Sequence, residues 1–233
     1  MTAFATLINA GTAVGEDCAV RPVTPVPCEF IYQTTNPATN QLVGIANVPR
    51  DIPAGAAQSF VFAFTPDAAL EPTDVKLRFD CSNSGPANVV TGLNTFLLSA
   101  SEQPVPDVVA LGATFQQNGI VDIPGVNGIG VFSVASVNVG AGGEIKVTAD
   151  TGGVELPLSL LLCQTDPTSG ACLQDPTSEV HTEIAANATP TFGIFVAGSG
   201  QVPFDPAAHR VFVRFRDQAG VVRGATSVAV RTQ

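Results

Sequence analysis

The order of motifs along this 233-residue chain runs through twice, and that duplication limits its fold more than any other feature. Ile52 to Phe64 overlies Ile184 to Val196 at an offset of 132, which brings Phe60, Phe62 and Phe64 onto Phe192, Ile194 and Val196. Upstream, the Gln33-Thr-Thr-Asn-Pro stretch falls on Gln164-Thr-Asp-Pro at an offset of 131. Downstream, Val75 to Phe79 falls on Val211 to Phe215 at 136, and Val90 to Phe96 falls on Val222 to Val228 at 132. Asn9-Ala-Gly11 matches Asn138-Val-Gly140 at 129. Five blocks in one order and at nearly constant spacing identify two copies of one unit.

The copies are not identical in extent. Ahead of its first shared strand the second carries Val108 to Phe115 and Gly119 to Pro124, and the first has only a few residues there. The Pro-bearing stretch from Ser101 to Pro106 reads as a semi-rigid linker, which gives domains at 1–103 and 104–233. Within each unit the apolar period is two. Val75, Leu77 and Phe79 share one face, with Lys76, Arg78 and Asp80 on the other, and Val211, Val213 and Phe215 repeat the pattern. Asn36-Pro37, Ser84-Gly-Pro86, Asp166-Pro167 and Asp217 to Gly220 punctuate the runs as turns. Gly 22 and Pro 18 suit many turns and few helices. The expected fold is all-β: two tandem immunoglobulin-like β-sandwich domains, the second with an extra N-terminal strand, and a barrel as the competing architecture.

A first strand ending in Asn-x-Gly (Asn9 to Gly11, Asn138 to Gly140) and an Ile52-Pro-Ala-Gly55 turn before a Phe-rich strand, followed by closing strands, carry a resemblance. The chain resembles bacterial immunoglobulin-like surface repeats of the CARDB type. That resemblance implies extracellular tandem modules that serve in adhesion or as spacers. Its motifs are turn and core motifs, so it speaks to fold more than to function.

Charge narrows the partners. Lys plus Arg is 10 against 20 for Asp plus Glu, a net charge of -10, which tells against nucleic acid. Only 13% of residues are charged, against about 25% in an average domain, yet no run reaches the ~20 apolar residues of a spanning helix. Met1-Thr-Ala-Phe4 has no cationic leader, so the expectation is a leader already removed or a piece of a longer array. Of the five cysteines, Cys163 and Cys172 bracket a turn-rich loop and are expected to bridge. Cys18 is expected to pair with Cys81 between sheets, as in immunoglobulin domains, or with Cys28 across a hairpin. Bridges imply an oxidising compartment, hence a secreted or cell-surface protein.

Candidate chemistry is sparse. Asp150-Thr-Gly152 echoes an aspartic-protease triplet, but the first unit has no second copy and the triplet is a good hairpin turn. His181 and His209 lack triad partners, no C-x-x-C pair supports zinc, and Asp122, Glu102 and Asp107 do not form a calcium loop. Asn187-Ala-Thr189 fits a glycosylation sequon in a turn. Lys76 and Arg78 in one unit, with Arg214 and Arg216 in the other, form rows that serve as a possible interaction surface. No catalytic, cofactor or metal residues are assigned. The expected function is a non-enzymatic structural or adhesion/interaction module working through protein–protein contacts. Self-association into a filament or array by strand addition near Thr2–Asn9 is an alternative, because a unit without its leading strand has an open edge. A carbohydrate-binding module has less support, since Trp is absent and Tyr32 is the only Tyr.

Overall fold

The computed structural model describes all residues, Met1–Gln233, as two compact units, Met1–Ser101 and Glu102–Gln233. The first contains β1 (Thr2–Ile8), β2 (Gly15–Pro22), β3 (Cys28–Thr35), β4 (Arg50–Ile52), β5 (Ala57–Pro66), β6 (Leu70–Asp80) and β7 (Thr95–Ala100). They form a sheet of order β1-β5-β3 and a second of order β4-β2-β6-β7. The second unit contains β8 (Val108–Thr114), β9 (Ile120–Ile123), β10 (Ile129–Asn138), β11 (Gly143–Asp150), β12 (Leu158–Thr165), β13 (Glu179–Ile184), β14 (Thr191–Gly198), β15 (Arg210–Arg216) and β16 (Val222–Thr232). Its sheets run β8-β10-β14-β12 and β9-β16-β15-β11-β13. Each unit is an immunoglobulin-like β-sandwich. No helix of the structure is long and apolar enough to cross a membrane.

Matching strand pairs of the two units have alike hydrogen-bond registers. Ala3 faces Phe62 as Phe132 faces Ile194, and Val75 faces Phe96 as Val211 faces Val228. One offset changes. Thr35 bridges Leu42 as Thr165 bridges Cys172, and the whole of β3 faces β5 as β12 faces β14, so the spacing along this strand is 130 rather than 131. The reason is the turn that follows. Asn36 Oδ1 accepts from the amides of Ala38 and Thr39, and Asp166 Oδ1 accepts from those of Thr168 and Ser169, so the turn residue fixes the register.

The cores follow from the alternation. Phe60, Phe62, Phe64, Val75, Leu77, Phe79 and Leu98 fill the first unit, and Phe192, Ile194, Val196, Val211, Val213 and Phe215 take the matching places in the second. Each fully buried side chain of this size stabilises its unit by roughly 1.5–3 kcal/mol.

Two disulfides are present, Cys18–Cys81 and Cys163–Cys172, and Cys28 is a free, half-buried thiol. The first does not cross between sheets as the immunoglobulin comparison suggested. Ala19 pairs with Asp80, so Cys18 and Cys81 are next-door residues on adjacent strands of one sheet. Gly15 accommodates the bridge: a Cβ there would stand 2.9 Å from both sulfurs.

The stretch from Ser101 to Pro106 is not all linker. Val105 accepts a bond from the Ala141 amide and Asp107 accepts one from the Val139 amide, so residues 105–107 run along the edge of β10 and its following turn.

Candidate functional site

The side chains singled out from the sequence are mostly engaged within their own units. Arg78 donates to Asp80 at 2.7 Å, and Arg21 reaches the same carboxylate at 2.6 Å. Arg214 donates to Asp150 at 2.7 Å and lies 4.9 Å from the Phe212 ring centroid. Arg216 donates to the Gly220 carbonyl, and Lys76 is exposed. The two rows therefore sit one in each unit, with Arg78 and Arg214 already paired. Asp150 opens a turn in which it accepts from the Gly152 amide, and Gly152 adopts a φ of 66°. His181 lies 3.3 Å from Glu179 and 3.6 Å from Glu144, and His209 contacts the Pro203 carbonyl. Asp122 is paired with Arg231 at 2.6 Å.

Asp80 shows how neutral this surface has become. Burial acts to raise its carboxyl, but the hydrogen bonds and charges of Arg21 and Arg78 outweigh that and hold it below the usual carboxylate range. A folded value below the unfolded one, about 4, stabilises the fold above that pH, and the contribution is lost as pH falls through the folded value. Denaturant titrations from about pH 7 down to about pH 2 are expected to show the first unit weakening below about pH 4. Asp80→Asn is expected to flatten that decline, and an unchanged profile in the variant contradicts the assignment.

The distinctive feature is one side of the first unit. In the second unit β8 pairs antiparallel with β10 and β9 pairs parallel with β16, so one leading segment closes both sheets. In the first unit β1 and β7, the counterparts of β10 and β16, have no such added strand and end their sheets. Phe132, Val134 and Ser136 on the inward face of β10 are buried, and the corresponding Ala3, Ala5 and Leu7 are only half-buried. Two cavities of about 390 and 320 Å³ run along this side and share Leu7, Phe79 and Ala87. In the second unit Val108, Val121 and Ile123 of the leading segment are instead part of the core.

The backbone of β1 is prepared for a neighbour. Met1 and Phe64 exchange backbone bonds, and the Asn9 amide donates to Ala56. By the alternation of an antiparallel ladder, Ala3, Ala5 and Leu7 bond to β5, and the amides and carbonyls of Thr2, Phe4, Thr6 and Ile8 point outward.

Asn9 and Asn138 anchor the two copies alike. Asn9 Nδ2 donates to the carbonyls of Ala13 and Ile52, and its Oδ1 accepts from the Gly11 amide. Asn138 Nδ2 donates to Ala141 and Ile184, and its Oδ1 accepts from Gly140. Asn138 Oδ1 also accepts from the Asp107 amide of the leading segment at 3.0 Å. The Asn-x-Gly recurrence was the sequence signal for this pair of residues; its task of tying the first strand to the next turn and to the leading segment was not.

No protein-family profile matches the chain, and no curated protein does. Among solved structures, the chain is similar to the CARDB domain of a Pyrococcus furiosus protein solved with di-metal ions. The identity is 12%, the match covers 58% of this chain and 100% of that one, and the TM-score is 0.30. It is also similar to the major pilin subunit of Bacillus cereus (11% identity, 100% and 70% covered, TM-score 0.29). A third similar structure is a tip adhesin from Pseudomonas aeruginosa (10% identity, 100% and 91% covered, TM-score 0.28).

Proposed function

We propose that the chain is a non-enzymatic structural or adhesion module, secreted or displayed at the cell surface, that joins other polypeptides by strand addition at its first unit. The observation that carries this reading is the open side formed by β1 and β7, which the duplicated unit closes with β8 and β9. Unpaired strand edges recruit strands because backbone donors and acceptors left without partners are costly to bury and easily satisfied by another chain. The two disulfides agree with an oxidising compartment. Apolar residues on the outer face of the β1 sheet, Phe4 and Ile8, add contact surface at 60% and 66% exposure. A sugar-stacking role is not supported at Tyr32, which is 8% exposed and lies in the core.

Self-assembly of copies into a filament or array is the narrower form of this reading. Sedimentation of the full chain over a range of concentrations is expected to show association. Thr6→Pro removes an outward amide that β5 does not use, so it blocks strand addition while leaving the β1–β5 ladder in place. The variant is expected to stay monomeric with an unchanged circular dichroism spectrum. Association that survives Thr6→Pro overturns the edge as its site, and a wild-type chain that is monomeric throughout overturns self-assembly.

A further inference from the structure

We infer that the first unit takes up an extended segment of another polypeptide, uncharged along its length, that runs antiparallel to β1 and then crosses to run parallel to β7. This rests on the strand-uptake reading and adds the direction, register and chemistry of the incoming strand.

The path is drawn by the second unit. There residues 105–107 bond to Val139 and Ala141, β8 follows β10, and β9 follows β16. Transfer of those registers through the duplication sets the incoming chain in the first unit. Ala110 faces Ser136, so its equivalent faces Leu7. Val121 faces Val230, so its equivalent faces Leu98, a fully buried core residue. Asn9 fixes the starting point. Its Oδ1 accepts from Gly11, and the incoming residue at the Asp107 position supplies the second donor that Asn138 already receives. Opposed inward residues are small, Ala3 and Ala5 where the second unit has Phe132 and Val134, which leaves depth for the guest side chains. The 320 Å³ cavity lined by Ala3, Ala5, Leu77 and Phe96 supplies that space.

Charge separates this guest from the leading segment of the chain itself. That segment carries two carboxylates: the second unit pairs one with an arginine and sets the charge of Arg223, itself bonded to Asp217, close to the other. Asp122 is paired with Arg231. Asp107 has its carboxyl raised by burial, against the opposing charge of Arg223. The first unit has Ser99 where the second has Arg231, and its residues 90–94, which match the start of β16 by sequence, form a turn that holds no arginine. The charged residue lining its open side is Asp80, which already engages the nearby Arg21 and Arg78. A carboxylate brought there loses water and gains no partner, so the site discriminates against acidic guests.

The test uses the full chain and three synthetic peptides: residues 105–123 as they stand, the same with Asp107→Asn and Asp122→Asn, and that neutral peptide with Val108→Asp and Val121→Asp. The neutral peptide is expected to bind one to one and at least about tenfold more tightly than the unaltered one. Hydrogen exchange is expected to slow in Thr2–Ile8 and Thr95–Ala100 and nowhere in residues 102–233. The third peptide is expected not to bind, and Ala5→Asp in the chain is expected to weaken the neutral peptide at least about tenfold. Should Ala5→Asp fail to fold, the third peptide decides the same point without touching the protein. Equal binding of neutral and acidic peptides, absence of binding, or protection confined to the second unit overturns the inference. Equal binding with protection at β1 leaves strand uptake standing, whereas association that survives Thr6→Pro removes strand uptake itself.

Discussion

Replacement of Asn138 by Ala is expected to destabilise the second unit by about 4 kcal/mol, and Asn9→Ala the first by about 2 kcal/mol. Asn138 is fully buried and holds the carbonyls of Ala141 and Ile184 and the amides of Gly140 and Asp107. Its removal leaves the buried Ile184 carbonyl and the half-buried groups of Ala141, Gly140 and Asp107 without this partner, each at up to about 1–3 kcal/mol before relaxation. Asn9 has the same contacts to its own turn and to Ile52, but without the leading segment its surroundings are half-open, and water can replace part of what is lost. Denaturant unfolding of the full chain, with hydrogen exchange to assign each transition, measures the two costs. Equal costs would mean that the leading segment contributes nothing to the anchor. That comparison also bears on the inferred guest: occupation of the first unit should raise the cost of Asn9→Ala toward that of Asn138→Ala.

Removal of the Cys18–Cys81 bridge by Ala at both positions is expected to destabilise the first unit by about 4 kcal/mol, through the loop-closure entropy that the unfolded chain regains. The same change at Cys163 and Cys172 is expected to destabilise the second by about 2.5 kcal/mol. The difference follows from loop length, 63 residues of separation against 9. For a unit of this size the larger loss lowers the midpoint by more than about 15 °C, which differential scanning calorimetry resolves. The consequence for function is local. Cys81 follows β6 directly, and Cys18 lies in β2, so the bridge clamps the sheet whose far strand, β7, borders the open side. The first unit lacks the counterparts of β8 and β9 that extend both sheets of the second, so it has less core to stabilise it, and the covalent clamp offsets part of that deficit. Reductant that lowers both midpoints equally would contradict this account.

Several features were legible before any coordinates. Alternation placed Val75, Leu77 and Phe79 inward and Lys76 and Arg78 outward, because side-chain period in a strand is fixed by the backbone. The recurrence of Asn36-Pro37 and Asp166-Pro167 marked matching turns, because a carboxamide or carboxylate that accepts the following amides specifies such a turn locally. Asp80, by contrast, reads as a solvent-facing residue but is 7% exposed, since Arg21 from the neighbouring β2 and Arg78 two residues back on its own strand lie over it. The expected inter-sheet disulfide became an intra-sheet one for a similar reason: which strands are neighbours is a property of the assembled sheet.

The sequence by itself determined the recurring order of motifs, the β class and the extra segment of the second unit, since each is written in local spacing and periodicity. Only the tertiary structure decided that this segment switches sheets between β8 and β9, that it seals two edges at once, and that β1 and β7 flank an open side in the other copy. The β9–β16 pairing joins residues about a hundred positions apart, such as Asp122 with Arg231, and no local pattern encodes which distant strand satisfies an edge.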